Sequence, residues 1–344
     1  MRCLALAAAL AASWLPTVVG GQTSNVREEV ESALQRMTFT AADIATLHSG
    51  GVIARADTAD DGEILTQAAV KILVPHAQAV SYYGQMIAYV DGEVTLGFGR
   101  FSTPAAAADV AQLTFDRDEV DALKNCRPGR CDIRLGGAAF TTLQSKINWK
   151  AADYATEVNG FARDAAVAYV NAYRARGDEA LITYNDTNTP VSLRTHWAGI
   201  LANASVFHAF HPALARYLTA YPNEPLAGAV DIMYWIKENY GRKPVISIVH
   251  GVVYTPPGQT DRTIVAQKYI YASHYYDASL ALAAIMSGTE NGAPATYIVY
   301  GNRSRGDLLR GGFGGMARGA ARAQAKKAAE QTLSTIKSVL ERNR

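Results

Sequence analysis

The stretch Val245-Ile-Ser-Ile-Val-His-Gly-Val-Val-Tyr254 decides the fold class of this chain, because its residues alternate with a period of two. Such a period is typical of a β-strand. One side of the strand carries Ile246, Ile248, His250, Val252 and Tyr254. After a Pro-Pro-Gly turn, two more segments have strand character, Thr263–Tyr276 and Ala295–Asn302. We therefore expect three long antiparallel strands in the last third of the chain.

A long amphipathic helix follows the last of these strands. A glycine-rich bend at 311–315 separates the two, and the helix that follows runs for about 25 residues. Its apolar stripe consists of Ala325, Ala329, Leu333, Ile336 and Leu340. Strand hairpins followed by a terminal amphipathic helix predict an α+β fold, in which a curved antiparallel sheet wraps around the C-terminal helix.

The first two thirds of the chain add helices and another hairpin. The periodicity predicts helices at 24–37 and 76–90, and strands at 52–57 and 63–73. From about 150 to 240 nearly every segment has helical spacing, beginning with a long helix at about 151–176. No low-complexity linker divides the chain. We therefore expect one domain over residues 22–344, which contains a helical insert at about 150–240.

The N-terminus has the pattern of a secretory signal peptide. Met1-Arg2 is a basic start, Leu4–Leu15 is apolar, and small residues follow at Val18–Gly21. Pro16 interrupts the apolar run too early for a comfortable membrane span. We therefore predict a signal peptide over residues 1–21, a periplasmic or secreted location, and no transmembrane segment in the mature chain.

Two cysteines remain after this predicted leader, Cys126 and Cys131, with a Pro-Gly turn between them. In an oxidising compartment such a pair can form a persistent disulfide. The spacing has four intervening residues, whereas reactive redox motifs have two, so a structural role is favoured over a redox role.

The charge balance bears on the kind of partner. The chain has 33 Lys and Arg against 31 Asp and Glu, a net charge of +2. No basic excess is available to neutralise many phosphates, so nucleic acid is excluded as the main partner. The sequence also contains 18 tyrosines, whose rings and hydroxyls suit a half-polar cavity or an exposed sheet face equally well.

Two stretches of the chain resemble the START-like helix-grip superfamily. Val70-Lys-Ile-Leu-Val-Pro75-His-Ala-Gln-Ala-Val80 is similar to the strand and first helix of that family, and the region from Tyr297 through the final helix to Glu341 is similar to its last strand and C-terminal helix. The chain also resembles exported bacterial proteins that carry a C-x-P-G-x-C loop. The resemblance implies an internal apolar cavity for a lipid, sterol or polyketide-like ligand, and it implies no shared catalytic residue. The insert at about 150–240 departs from the minimal family.

The candidate ligand-binding residues lie on the long strands. Tyr269, Tyr271 and Tyr275 share one face of their strand, and His250 and Tyr254 come from the strand before it. If that face points inward, these residues line a cavity. If it points outward, the tyrosines are the solvated side and the core is formed by Ile264, Ala266, Ile270 and Ala272.

Arg303 completes this candidate set, at the place where the last strand meets the glycine-rich bend. Together with Arg305 it could hold a carboxylate or phosphate head group at the mouth of a cavity. The alternative is a surface ion pair with Asp307 or Glu341.

Two enzymatic alternatives remain in the sequence. His208 and His211 are spaced to lie on one face of a helix, as a metal pair would need, and His196 or His250 could be a third ligand. No carboxylate accompanies them at a recognised spacing, so core or surface histidines are the competing interpretation. Ser273 and His274 are neighbours in a strand and point to opposite faces, and the chain lacks a Gly-x-Ser-x-Gly elbow, which disfavours serine hydrolysis.

The favoured function is therefore the non-covalent binding of an apolar or amphipathic small molecule by an exported protein, without a cofactor. A periplasmic metal-assisted or cyclase-like enzyme is one alternative, and an envelope structural or assembly protein is another. A cavity of several hundred cubic ångströms, on the order of usual ligand sites, would favour the first function. Converging histidines would favour the second, and a broad exposed apolar patch would favour the third.

Overall fold

A computed structural model of the chain describes residues 25–60, 62–86, 94–204, 207–208, 211–239, 243–306, 309 and 314–342. The predicted signal peptide lies outside the described residues, and so do residues 311–313 of the glycine-rich bend.

The centre of the structure is one eight-stranded antiparallel sheet. The strands are β1 (Val52–Asp60), β2 (Glu63–Ile72), β3 (Thr95–Arg100), a two-residue pair β4 (Thr183–Tyr184) and β5 (Val191–Ser192), β6 (Ala229–Asn239), β7 (Pro244–Tyr254), β8 (Arg262–Ala272), β9 (Ala278–Glu290) and β10 (Ala293–Arg305). Their order in the large sheet is β1-β2-β10-β9-β8-β7-β6-β3, and β4 and β5 pair separately. The first hairpin therefore joins the last strand, while β3 forms the far edge.

Helices cover both faces of the sheet. They are α1 (Val26–Arg36), α2 (Ala41–His48), α3 (His76–Met86), α4 (Arg117–Lys124), α5 (Gly137–Lys146), α6 (Tyr154–Arg176), α7 (Leu193–Ala202), α8 (Pro212–Ala220) and α9 (Gly314–Arg342). The C-helix face is the side that packs on α3 and α9. The insert face is the opposite side of the sheet. There α1 and α2 pack near β2 and β10, whereas α6, α7 and α8 pack near the strands from β6 to β9.

The predicted fold class is confirmed, because the antiparallel sheet packs on a long C-terminal helix. The apolar stripe of α9 lies against β1 and β2, and the exposed fractions of Leu333, Ile336 and Leu340 are 2%, 0% and 4%. Burial of a leucine or isoleucine side chain stabilises a fold by roughly 1.5–3 kcal/mol. This stripe is therefore a major source of the stability of the C-helix face.

Two strands of the large sheet differ from the sequence expectation, and the short pair β4 and β5 also lies within the predicted helical insert. Residues 229–239 form β6 although the pattern predicted helix, and the alanine-rich β9 was not predicted as a strand. Strand β6 lies beside the edge strand β3 and packs on α6, whereas β9 lies inside the sheet with α7 on one face and α3 on the other. Apolar residues then occupy both sides of β9 and the alternation disappears, while alanine favours helix locally. The α-helices of the described insert therefore end at Ala220.

The predicted end of the long insert helix is correct. α6 ends at Arg176, and Gly177 follows with a φ of 55°. A Cβ atom at this glycine would lie 1.8 Å from the carbonyl oxygen of Tyr221. Only glycine fits both the left-handed backbone and this close approach.

The predicted disulfide is present in the structure between Cys126 and Cys131, with an S–S distance of 2.02 Å. Its loop packs on the segment that follows β4, because the Gly129 amide donates to the Asn185 carbonyl at 2.7 Å and the Cys131 amide donates to the Asp186 carbonyl at 2.9 Å. Among the described residues, no helix is both long and apolar enough to span a membrane.

Candidate functional site

An apolar cavity of about 130 Å³ lies on the insert face. It is bounded by α1 on one side, by the end of α7 and the start of α8 on the other, and by the sheet beneath. The residues that line it are Glu29, Ala33, Met37, Leu65, Gln67, Asn203, Ala204, Phe207, His211, Ile264, Leu280, Leu282, Ala284, Met286, Val299, Tyr300, Gly301, Asn302 and Arg303.

Local periodicity explains how these residues come together. In α1 and its C-cap, Glu29, Ala33 and Met37 are four residues apart, which places them on one side of the helix. In β9, every second residue from Leu280 to Met286 points to the same side of the sheet. The walls therefore come from three distant parts of the sequence: the N-terminal helix, the insert and the last strands.

One end of the cavity carries a paired charge. Both oxygens of the Glu29 carboxylate accept hydrogen bonds from Arg262, at 2.6 Å from Nη1 and 2.8 Å from Nη2. This two-bond geometry is the strong form of an arginine–carboxylate pair. The ion pair joins α1 to the start of β8.

The other end is formed by Arg303 and its partner. The Arg303 guanidinium donates to Oε1 of Glu63, and Nε of Arg305 donates to Oε2 of the same carboxylate at 2.7 Å. Glu63 is fully buried, with an exposed fraction of 0%. Each oxygen of this carboxylate therefore accepts from one guanidinium, and Arg303 is paired with Glu63. Of the two acids in the alternative surface pairing, Glu341 accepts from Lys337, and Asp307 lies outside the described residues.

His211 is the titratable side chain between these two ends. Burial lowers its pKa to about 4, and the positive charge of Arg262 acts in the same direction. A neutral imidazole therefore faces the cavity at pH 7.

The predicted tyrosine face is not continuous. The register of β7 and β8 shifts, so that Tyr269 pairs with Val249 and Tyr271 pairs with the adjacent Ile248. Adjacent residues of a strand point to opposite faces, so Tyr269 and Tyr271 lie on opposite sides of the sheet. The prediction that the two share one face is wrong, and the bulge at Ile270 is the reason.

Each of these tyrosines packs in a different environment. The Tyr271 ring packs against Tyr184 with centroids 6.2 Å apart, and its hydroxyl donates to the Arg134 carbonyl at 3.1 Å. The Tyr269 ring contacts Tyr276 at 5.7 Å. Tyr275 lies beyond the end of β8 with a φ of 64°, and its hydroxyl accepts from the Lys243 amide at 2.7 Å.

The alternative orientation, in which the tyrosines lie on the solvated side, agrees with the structure for the apolar residues but not for the tyrosines. The predicted apolar partners are buried, with exposed fractions of 1% or less: Ile264, Ala266, Ile270 and Ala272. Because helices cover both faces, however, Tyr269 and Tyr271 are half-buried rather than solvated. Tyr254 belongs to the apolar core of the insert face, with an exposed fraction of 8%. Of the six predicted binding residues, Arg303 is the one that lines the cavity.

His250 is part of a buried hydrogen-bonded network. Its Nε2 lies 2.6 Å from Oδ1 of Asp231, and its Nδ1 lies 3.1 Å from the hydroxyl of Tyr173. A carboxylate can only accept, so Nε2 carries the proton and Tyr173 donates to Nδ1 of the neutral ring. Burial lowers the pKa of His250, and the Tyr217 hydroxyl completes the network by donating to Asp231 at 2.6 Å.

Lys268 lies beside this network and was not predicted as a functional or structural residue. Its ammonium group is fully buried, pairs with Asp178, and donates to the Leu218 carbonyl at 3.2 Å. Burial lowers the pKa of Lys268. His250 and Lys268 are polar residues on an otherwise apolar strand face, and this is the signal that could have identified them. Together they connect the insert to the sheet.

The predicted histidine pair does not belong to a metal centre in the described part of the chain, where no three His, Cys, Asp or Glu side chains converge. Nε2 of His208 lies 2.8 Å from the Leu201 carbonyl oxygen. Nδ1 of His196 lies 3.7 Å from the Asp277 carboxylate, and His250 pairs with Asp231.

Ser273 and His274 also have separate partners. The Ser273 hydroxyl accepts from the Ile246 amide at 2.9 Å, and Nε2 of His274 lies 3.3 Å from Glu119. The hydroxyl oxygen is thus engaged with the backbone, and the imidazole is directed to a carboxylate of α4. Neither contact is the hydroxyl–imidazole bond of an activated nucleophile.

Comparisons with protein-family models, with curated proteins and with solved structures found no match to this chain.

Proposed function

We propose that the protein is an exported small-molecule-binding protein, and that the cavity between α1, the insert and the sheet holds an apolar ligand. The observation that carries this proposal is the cavity itself, because aliphatic, aromatic and thioether side chains from three parts of the chain surround one space. A concave and mostly apolar site with a few polar groups is the usual form of a ligand pocket. The thioethers of Met37 and Met286 allow its walls to adapt to a ligand.

The volume limits the size of the ligand. Ligand pockets usually measure about 300–1,000 Å³, and this cavity of about 130 Å³ is smaller. A dry apolar cavity of about 150 Å³ in another protein accommodates benzene. The ligand, or the part of it that is enclosed, is therefore a single ring or a short aliphatic segment rather than a whole lipid.

The topology supports membership of the START-like helix-grip superfamily as part of this proposal. The hairpin strand β2 pairs with β10, α3 follows β2, β3 forms the far edge, and the chain ends in α9 across the sheet. The resemblance implied a cavity inside the curve of the sheet around the final helix. The cavity proposed here lies on the opposite face, where the insert adds a second helical layer.

Export is supported by two observations. The first 21 residues have the pattern of a signal peptide, and Cys126 forms a disulfide with Cys131. Disulfides persist in oxidising compartments and are rare in the cytosol. We place the protein in the periplasm or outside the cell on this basis.

The experiment compares two substitutions of alanine by phenylalanine. Ala33 lines the cavity, whereas Ala45 is exposed on α2. The protein is purified from its native compartment, and bound molecules are extracted and identified by mass spectrometry. We expect an apolar molecule to accompany the wild type and Ala45→Phe, and to be lost from Ala33→Phe, because the added ring fills the space.

Circular dichroism checks that Ala33→Phe is folded, since an overpacked site costs about 1–3 kcal/mol. Isothermal titration with toluene provides a second measurement for a ligand that is lost during purification. If nothing is extracted and toluene does not bind the wild type, the cavity is a packing defect and the proposal is wrong.

A further inference from the structure

We infer that the cavity selects uncharged apolar ligands about the size of one aromatic ring, and that paired charges at its two ends reject carboxylates and ammonium groups. This inference rests on the proposed function and adds the chemical class of the ligand. It departs from the sequence expectation, in which Arg303 and Arg305 hold an anionic head group.

The first argument is the chemistry of the walls. The floor consists of aliphatic side chains and a thioether, such as Leu282 and Met286, and the sides include Ala33 and Phe207. A charged group that enters such a space loses its hydration, and the neutral amides of Gln67, Asn203 and Asn302 in the wall cannot replace a counter-ion. An unpaired ion in an apolar environment is strongly disfavoured.

The second argument is the pairing at the α1 end. Arg262 is the positive group there, and both oxygens of Glu29 accept from it. The side chains of this pair are 21% and 22% exposed, so water screens them only partly. An incoming carboxylate would have to displace Glu29, and an incoming ammonium group would have to displace Arg262.

The third argument is the pairing at the β10 end. The carboxylate of Glu63 is fully buried and accepts from both Arg303 and Arg305. Removing one guanidinium from this cluster to bind a ligand would leave a buried carboxylate with fewer partners. Breaking a buried pair in this way is costly. Arg303 is therefore a structural partner of Glu63 and not an available anion receptor.

The remaining titratable lining residues are Tyr300, whose pKa is raised by burial to about 12, and His211, which is itself partnered. It faces Arg262 and Glu29 from the insert side, and its neutral form prevails at pH 7. It adds no charge that could compensate an ionic ligand.

The test uses three single-ring probes of similar size: toluene, benzoate and benzylamine. At pH 7 the first is neutral, the second is an anion and the third is a cation. Isothermal titration on the full mature chain measures their affinities. We expect toluene to bind, and the two ions to bind at least about tenfold more weakly, which corresponds to about 1.4 kcal/mol.

A charge-neutralising variant reverses part of this selectivity. Glu29→Gln keeps the shape of the side chain and leaves the positive charge of Arg262 uncompensated at the end of the cavity. The ratio of benzoate to toluene affinity should rise by about tenfold. Glu31→Gln is the matched control, because Glu31 lies on the same helix, pairs with Arg27 and His48, and does not line the cavity.

The outcomes separate this inference from the proposed function. Equal or tighter binding of benzoate to the wild type overturns the charge selectivity and leaves the binding function intact. An unchanged affinity ratio in folded Glu29→Gln also overturns it. If none of the three probes binds the wild type or the variants, this inference is refuted, and if nothing is extracted from the wild type either, the proposed function is refuted with it.

Discussion

The buried pair of Lys268 and Asp178 gives the sharpest prediction about stability. Lys268 is a sheet residue with an exposed fraction of 0%, and Asp178 lies in the insert directly after α6. Asp178→Asn keeps the shape and an acceptor oxygen and removes the negative charge. The ammonium group then remains beneath the insert near the Trp197 ring, 5.0 Å from its centroid, with no charged partner in this pair.

Two considerations give the size of the stability loss expected for Asp178→Asn. Breaking a buried ion pair by removing one partner costs about 3–5 kcal/mol. The lysine can limit this cost by losing its proton, and neutralising a group of ordinary pKa 10.5 at pH 7 requires about 5 kcal/mol. Asp178 is 21% exposed, so some water can approach the amide that replaces it. We therefore expect a loss of about 3 kcal/mol in the free energy of unfolding at pH 7.

The pH dependence of the stability of Asp178→Asn tests whether the uncompensated charge of Lys268 causes the loss. In Asp178→Asn the folded-state pKa of Lys268 falls further below its unfolded value, because the carboxylate that raised it is gone. The unfolded state then binds more protons, so the stability of the variant rises with pH. The deficit relative to the wild type should shrink between pH 7 and pH 9, in urea denaturation curves at both values.

Two further variants complete the test. Lys268→Met in the Asp178→Asn background removes the uncompensated charge, and the double variant should be more stable than the single one. Asp57→Asn is the control in an exposed ion pair with Arg55, where about 0–1 kcal/mol is typical. A loss below about 0.5 kcal/mol for Asp178→Asn with no pH dependence would refute the reasoning.

Three other predictions follow from the same structure. Leu333→Ala should lower the free energy of unfolding by about 2–5 kcal/mol in urea denaturation, because the Leu333 side chain is buried against the sheet. Lys327→Ala, on the exposed side of α9, should change this free energy by less than about 0.5 kcal/mol. A similar loss in both variants would contradict the packing of α9. Alkylation of the unreduced mature protein should find no free thiol on Cys126 or Cys131, and two labelled thiols would contradict the disulfide. Cys126→Ala should lower the free energy of unfolding by about 2 kcal/mol, because the loop that the disulfide closes is short. The folded-state pKa of His211 is about 4, below its ordinary value of 6.5, so between these pH values the unfolded state binds more protons than the folded state. The free energy of unfolding should therefore rise from pH 4 to pH 6.5, by at most about 3 kcal/mol. His211→Gln should flatten this part of the pH profile, and an unchanged slope would contradict the burial of the imidazole.

The parts of the fold that could be predicted are those with a solvated side or a strong local signal. The C-terminal helix has a polar side, so its apolar stripe is visible in the sequence, and Leu333, Ile336 and Leu340 of that stripe are buried as predicted. The hairpin of β1 and β2 is bounded by turn residues. Strand β9 was missed because both of its faces are covered, by helices that are distant in the sequence.

The candidate site was less predictable, because it depends on register and on distant partners. A single bulge at Ile270 moved Tyr271 to the opposite face from Tyr269, and no local pattern marks that bulge. Arg303 was predicted to hold a ligand's head group at a cavity mouth, and its partner Glu63 is 240 residues away in the sequence. Ala33 and Phe207 lie in different elements and line one cavity only because both elements pack on the same sheet.

The position of the cavity follows from how the insert face is covered. The N-terminal helices pack over β2 and β10, and the insert packs over β6 to β9, so one sheet face carries two separate helical layers. Small residues, Ala33 and Ala204, stand at the facing edges of these layers, and their side chains do not fill the space between them. Protein interiors are otherwise close-packed, so a gap of this size marks the boundary between two layers that pack independently on one sheet. Ion pairs such as Glu29–Arg262 then fix α1 to the sheet beside that boundary. The cavity can therefore vary in size and chemistry through residues of α1 and the insert while the hydrogen bonds of the sheet stay the same.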